Sequence, residues 1–181
     1  MTAETPPAAE LDAETLAFAA RVFNLARHGD ADELAALLDQ GLPPNLRNDK
    51  GDTLLMLAAY NGNAPAVAAL LARGADPDSL NDRGQVPLAG AAFKGELAIA
   101  DMLLKHGAAV DGPTDGSGDR SPLMVAAMFD RVDIAELLLA HGADPGLRDK
   151  GGLGIAELTS AMGAEKVPAL LARRKAQQPT E

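Results

Sequence analysis

The sequence predicts an all-α solenoid of stacked helix–turn–helix units joined by short hairpin-like fingers, and three observations carry that expectation. First, the stretch from Asp82 to Asp111 repeats the one starting at Asp49 at an offset of 33 residues. Gly51 answers Gly84, Gly62 answers Gly95, Leu70-Leu71 answers Leu103-Leu104, and Gly74 answers Gly107. A fixed period of this size marks stacked supersecondary units. Second, each copy has the same internal order: an Asp-x-Gly turn, a short helix of small and apolar residues, a Gly, a second helix ending Leu-Leu, and a Gly-Ala exit. Third, the 181-residue chain holds no Trp, one Tyr and four Phe. Thin, Ala-rich helices packed closely do not need large aromatic plugs.

The unit explains itself locally. Ser121-Pro122 starts a first helix, with Ser at the N-cap accepting a backbone N–H and Pro at the next position giving up a donor that has no partner there. Thr53 is placed to cap in the same way, and Pro87 repeats the proline device after Val86. Gly74, Gly107 and Gly142 stand where each second helix must stop in a left-handed conformation. Neither helix can bury its apolar side alone, so each unit leans on its neighbours.

These residues resemble the ankyrin repeat, whose consensus carries Thr-Pro-Leu-His ahead of a helix–turn–helix. The matching segments are Thr53-Leu54-Leu55-Met56, Val86-Pro87-Leu88-Ala89 and Ser121-Pro122-Leu123-Met124, with exits Gly74-Ala75-Asp76, Gly107-Ala108-Ala109 and Gly142-Ala143-Asp144. The consensus His is absent from all three, which bears on the local rigidity of the turn rather than on the fold.

In chain order, residues 1–11 are Pro, Ala and Glu without periodicity and are expected to be disordered. A single domain spans 12–175 as five repeats, at about 12–48, 49–81, 82–114, 115–148 and 149–175. The first opens with an extended helix from an N-cap at Asp12, with Phe18 and Phe23 expected to pack inward. The spacing from Gly107 to Gly142 is 35, so the finger from Asp111 to Arg120 is longer than its neighbours. Asp130 replaces the inter-helix Gly of the fourth repeat. Asp is among the few non-Gly residues that accept positive φ, which predicts a left-handed Asp130 and tolerance of Asp130→Gly. Pro168 fits only the first turn of a helix, so the last helix must start near Lys166 or Val167. It should end around Arg173-Arg174-Lys175, cations suited to a helix C-terminus, leaving 176–181 as a frayed tail.

Composition narrows the function classes. With no Cys, disulfides, thiol catalysis and thiolate zinc sites are excluded. The formal charge of −10 repels phosphate backbones and argues against a nucleic-acid partner. The N-terminus shows neither a basic region nor an apolar run, so no secretory signal and no membrane span is expected, and a cytoplasmic location follows by default. His106 and His141 share a repeat position, which explains them without a metal. Gly112 to Gly118 lacks the Lys-Ser/Thr of a phosphate loop. No enzymatic activity, no metal and no cofactor is expected.

The resemblance implies a concave surface made of fingertips and the exposed sides of first helices, with the two positions before each inter-helix Gly facing into it. Those positions hold Arg27-His28, Tyr60-Asn61, Phe93-Lys94, Met128-Phe129 and Ala161-Met162. Three of the five aromatics (Tyr60, Phe93 and Phe129) fall there, a stripe suited to a partner peptide or helix. Tyr60, Asn61, Phe93, Lys94, Met128 and Phe129 are therefore the expected partner-binding floor. Among the fingertip cations Arg47, Lys50, Arg83, Arg120, Arg148 and Lys150, the expected cationic rim is Lys50, Arg83, Arg120 and Lys150. An apolar floor with such a rim suits a protein segment carrying apolar and acidic side chains, bound by a monomer. A regulatory or inhibitory subunit of an enzyme would use the same surface.

Overall fold

The computed structural model describes residues 12–113 and 118–177. The disorder expected for residues 1–11, and the tip of the long finger, lie outside the described residues. Ten helices are present among the described residues: α1 (Ala13–His28), α2 (Ala31–Asp39), α3 (Leu54–Asn61), α4 (Ala64–Leu71), α5 (Pro87–Lys94), α6 (Leu97–Lys105), α7 (Pro122–Met128), α8 (Val132–Ala140), α9 (Ile155–Met162) and α10 (Lys166–Gln177). They form five antiparallel pairs. First helices α1, α3, α5, α7 and α9 pack in a row in chain order; α2, α4, α6 and α8 form a second row, and α10 closes it against α7, α8 and α9. The chain is an all-α solenoid.

The caps are those the residues call for. Thr53 Oγ1 accepts from Met56 N at 3.1 Å, and Ser121 Oγ from Met124 N at 3.3 Å. Val86 offers no side-chain cap, and Pro87 at the first helical position removes one donor in need. Asp12 caps α1 through Thr15 N at 2.7 Å. Gly74, Gly107 and Gly142 are left-handed at φ 80, 89 and 88.

One continuous core runs from Val22 to Leu170. Alanine pairs Ala58-Ala59, Ala91-Ala92 and Ala126-Ala127 are completely buried where neighbouring first helices meet. Their methyl groups let these helices approach closely. Leu70, Leu103 and Leu138, one on each of the second helices α4, α6 and α8, are also fully buried. At about 25 cal/mol per Å² of apolar surface removed from water, this shared burial is what holds units that have no core of their own.

Polar groups fix the repeat-to-repeat register. Asn45, Asp78 and Asp111 stand 33 residues apart. Each accepts a backbone N–H from the next repeat: Asp76 at 2.8 Å, Ala109 at 2.9 Å and Asp144 at 3.1 Å. At the fingers, Arg47 donates to the Leu80 carbonyl one repeat away. Gly51 is left-handed at φ 71, and a Cβ there would lie 2.4 Å from Asp82 Oδ1 and 2.9 Å from Asp82 N. Consecutive fingers touch backbone to backbone at that glycine.

Two expectations are corrected, and a third loses its argument. Phe18 is 44% exposed, and its neighbours in the first two turns of α1 are exposed too except half-buried Ala19, because the sixteen-residue α1 overruns the eight-residue α3 against which it packs; Phe23 does pack against the core. The last helix starts at Lys166 as expected but continues to Gln177, so Ala176 and Gln177 are helical. Asp130 is left-handed at φ 50, yet tolerance of Asp130→Gly does not follow. Its carboxylate accepts from Glu165 N at 3.0 Å, Lys166 N at 2.9 Å and Val167 N at 3.1 Å, capping α10 from the preceding repeat. A glycine would relieve the backbone and strip those donors of their acceptor.

Candidate functional site

Register counted from the N-caps Thr53, Val86, Ser121 and Gly154 sorts the exposed side chains into rows. Seven positions on come Tyr60, Phe93 and Met128, with Arg27 one period before Tyr60. Immediately before the caps come Asp52, Gln85 and Arg120. Both rows line one concave cavity of about 570 Å³. Its floor lies between them, with Met56, Leu57, Ala89, Gly90 and Val125.

The aromatic stripe forms. Tyr60 and Phe93 rings lie nearly parallel, 5.6 Å between centroids and 11° between planes. Phe93 meets Phe129 edge to face at 4.5 Å. The Lys94 ammonium sits 5.0 Å from the Tyr60 ring centre, within cation–π range. Arg131, in the next repeat, donates from Nε and Nη2 to the Phe93 carbonyl at 3.2 and 3.1 Å. That carbonyl is one of the four at the end of α5 with no intrahelical partner, and a cation suits it. Arg131 thus pins the backbone that carries the central ring, a link 38 residues long that no local pattern reveals.

Of the ten residues expected at the site, Tyr60, Asn61, Phe93, Met128, Phe129, Arg83 and Arg120 line the cavity; Lys94 does not line it but sits over the Tyr60 ring. Asn61 holds its amide on the Leu57 carbonyl at 2.7 Å. Lys50 and Lys150 do not line it: both are exposed at finger apices. Lys150 also falls one register position before Lys50 and Arg83 when counted back from Gly154. Arg47 and Arg148 are engaged within the fingers, the latter donating to the Gly152 carbonyl at 2.7 Å.

Charge on the rim is mixed rather than purely cationic. Arg27, Arg83 and Arg120 share the wall with Asp52 and Asp119. Asp52 accepts from Asn81 Nδ2 at 2.8 Å, and Arg120 lies between Asp149 at 3.4 Å and Asp119 at 3.9 Å. Asp149 is held below the usual carboxylate range, first by the Leu153 N–H, then by the Gly151 N–H and the charge of Arg120, against the opposing effect of burial. Arg120 is therefore largely neutralised, whereas no ion pair engages Arg27 or Arg83 among the described residues. The sequence places Arg27 facing the groove, as found, but Asp52, Gln85 and Met56 were missed as wall residues; the signal that finds them is register counted from the caps.

The chemistry such a surface offers is recognition. His106 and His141 each donate Nδ1–H to the carbonyl four residues back, Met102 at 2.8 Å and Leu137 at 2.9 Å, and both are explained by the repeat. Among the described residues no group of three or more His, Cys, Asp or Glu side chains could hold a metal ion. No described helix is long and apolar enough to cross a membrane.

A family model described as ankyrin repeats in three copies matches residues 22–114 and 55–149. A curated ankyrin repeat protein of Pseudomonas aeruginosa is 60% identical over 55 residues, 30% of this chain and 32% of its own length. The match thus spans about a third of that curated relative.

Proposed function

The chain belongs to the ankyrin-repeat family, and from that premise we propose that it holds a segment of another protein in the groove between its first helices and its fingers. Ankyrin repeats are protein–protein interaction modules built on a non-catalytic fold. The observation that carries the finer reading is the Tyr60–Phe93–Met128 row with Phe129, an apolar stripe across three repeats along a cavity of about 570 Å³. Aromatic and Met side chains are the usual anchors of such interfaces. Arg27 and Arg83, which form no ion pair among the described residues, suit an apolar segment that carries acidic residues. Lys50 and Lys150, outside the cavity, contribute to long-range attraction and on-rate. The working form is a cytoplasmic monomer.

The experiment is a cross-linking pull-down from native cell extract with the wild-type chain and a Tyr60→Ala, Arg83→Glu variant. Loss of a stoichiometric protein partner by roughly thirtyfold, about 2 kcal/mol, with helicity unchanged and the melting temperature only slightly lowered, is the expected result. Undiminished capture by the variant sinks the groove as the binding surface.

A further inference from the structure

Gly90 is a helix-interior glycine that the fold does not require. It lies inside α5, away from the positive-φ residues. The nearest atoms a Cβ built on it would meet are those of Tyr60, Cβ at 3.7 Å and Cα and Cδ2 at 3.9 Å, which is ordinary contact. Glycine in a helix interior is less stable than alanine because the unfolded chain is freer. Here neither backbone strain nor close approach compensates. The same register position, four after the N-cap, holds Leu57, Val125 and Leu158 in the other repeats. A position that breaks the local rule without a structural gain is where function is expected.

The missing side chain shapes the cavity. Leu57, Gly90 and Val125 all line it, so Gly90 leaves a notch in its floor between two aliphatic walls, alongside Tyr60 and Phe93. We propose that this notch is a specificity subsite that receives one large aliphatic side chain of the partner segment, with acidic neighbours of that residue meeting Arg27 and Arg83. This rests on the groove-binding reading and adds register to it. The cavity exceeds what one aliphatic side chain fills, so flanking groups of the partner enter as well, and the notch decides which residue sits deepest. A second copy of the chain is disfavoured as occupant by its formal charge of −10. An acidic segment can still dock because the local field at the two arginines is opposite in sign.

The test displays a random library of peptides about twelve residues long and selects on the full chain, wild type and Gly90→Leu. The wild type is expected to enrich peptides with one fixed aliphatic position flanked by Asp or Glu. In the best peptide, replacing that residue by Ala should weaken binding to wild type by about tenfold or more and to Gly90→Leu by less than about threefold. Gly90→Ala, whose methyl has room, should narrow the ratio to an intermediate value while raising Tm by about 1–4 °C; it keeps the comparison available if the Leu variant folds poorly. Equal ratios on all three proteins, or enriched peptides without a fixed aliphatic position, overturn the notch and leave the groove reading intact. Enrichment that ignores Tyr60→Ala and Arg83→Glu overturns both. A Gly90-dependent dimer in light scattering would assign the notch to a second copy and overturn the proposed occupant.

Discussion

The Phe93 and Phe129 rings meet edge to face across the border between the third and fourth repeats, with centroids 4.5 Å apart and planes at 76°. Aromatic pairs in this geometry attract through the positive edge and negative face of their π systems. Both rings are half-buried, and Arg131 holds the Phe93 backbone from the far side of the same border. The stripe is therefore at once a surface and a joint.

Stability follows from that double role. Removing both rings should not leave the melting temperature untouched, as it would if they only lined a surface. In a double-mutant cycle of Phe93→Ala and Phe129→Ala, urea unfolding should show a coupling of about 0.5–1.5 kcal/mol. Tyr60, 41% exposed, sits further out, and Tyr60→Ala should cost less than either Phe substitution. Strict additivity of the two Phe variants would mean that the rings touch without supporting each other.

Asn45, Asp78 and Asp111 do the same work with different charge. Asn45 accepts from Asp76 N without one; Asp111 accepts from Asp144 N while its own carboxylate faces that of Asp144. Burial pushes the Asp111 carboxyl above its ordinary value, and the Asp144 charge adds to the effect while the Asp144 N–H opposes it. A carboxyl raised in the folded state weakens the fold when ionised, and that penalty fades as pH falls through the folded pKa. Asp111→Asn, which keeps the acceptor, should therefore raise Tm at pH 7, and its advantage over wild type should shrink toward pH 4. A Tm that falls at pH 7 would show that the charge helps.

Much of this was legible because the determinants are local or periodic. Thr53, Ser121 and Pro87 announce helix starts through their own chemistry, and Asp130 reveals its left-handed φ by occupying a glycine column. Phe18 was misread because apolar periodicity shows which way a side chain points but not whether a neighbouring helix extends far enough to cover it. Arg47 and Arg83 look alike as fingertip cations. What separates them is the Leu80 carbonyl that Arg47 reaches one repeat on, a partner only the stacked array supplies. Gly90 reads as a weak helix residue in the sequence and becomes informative only once the distance to Tyr60 shows that a methyl group would fit.

Asp130 should hold the last repeat onto the array. Burial raises its pKa, but the N–H groups of Glu165, Val167 and Lys166 and the charge of Lys166 outweigh it, and the carboxyl stays below its ordinary 3.8. Asp130→Ala loses the acceptor while keeping an unfavourable positive φ, so it should cost about 2 kcal/mol. Asp130→Gly loses the same acceptor but relieves the backbone, and should cost about 1 kcal/mol less than the alanine variant. The depressed pKa gives the pH dependence its sign: the stabilisation is complete above the unfolded value of about 3.8 and disappears as pH falls through the folded one. Hydrogen exchange should find α10 opening first, in both variants at pH 7 and in the wild type below about pH 4, with α3 and α5 still protected. If Asp130→Gly equals wild type at pH 7, the three donors are served as well by water and the carboxylate holds nothing.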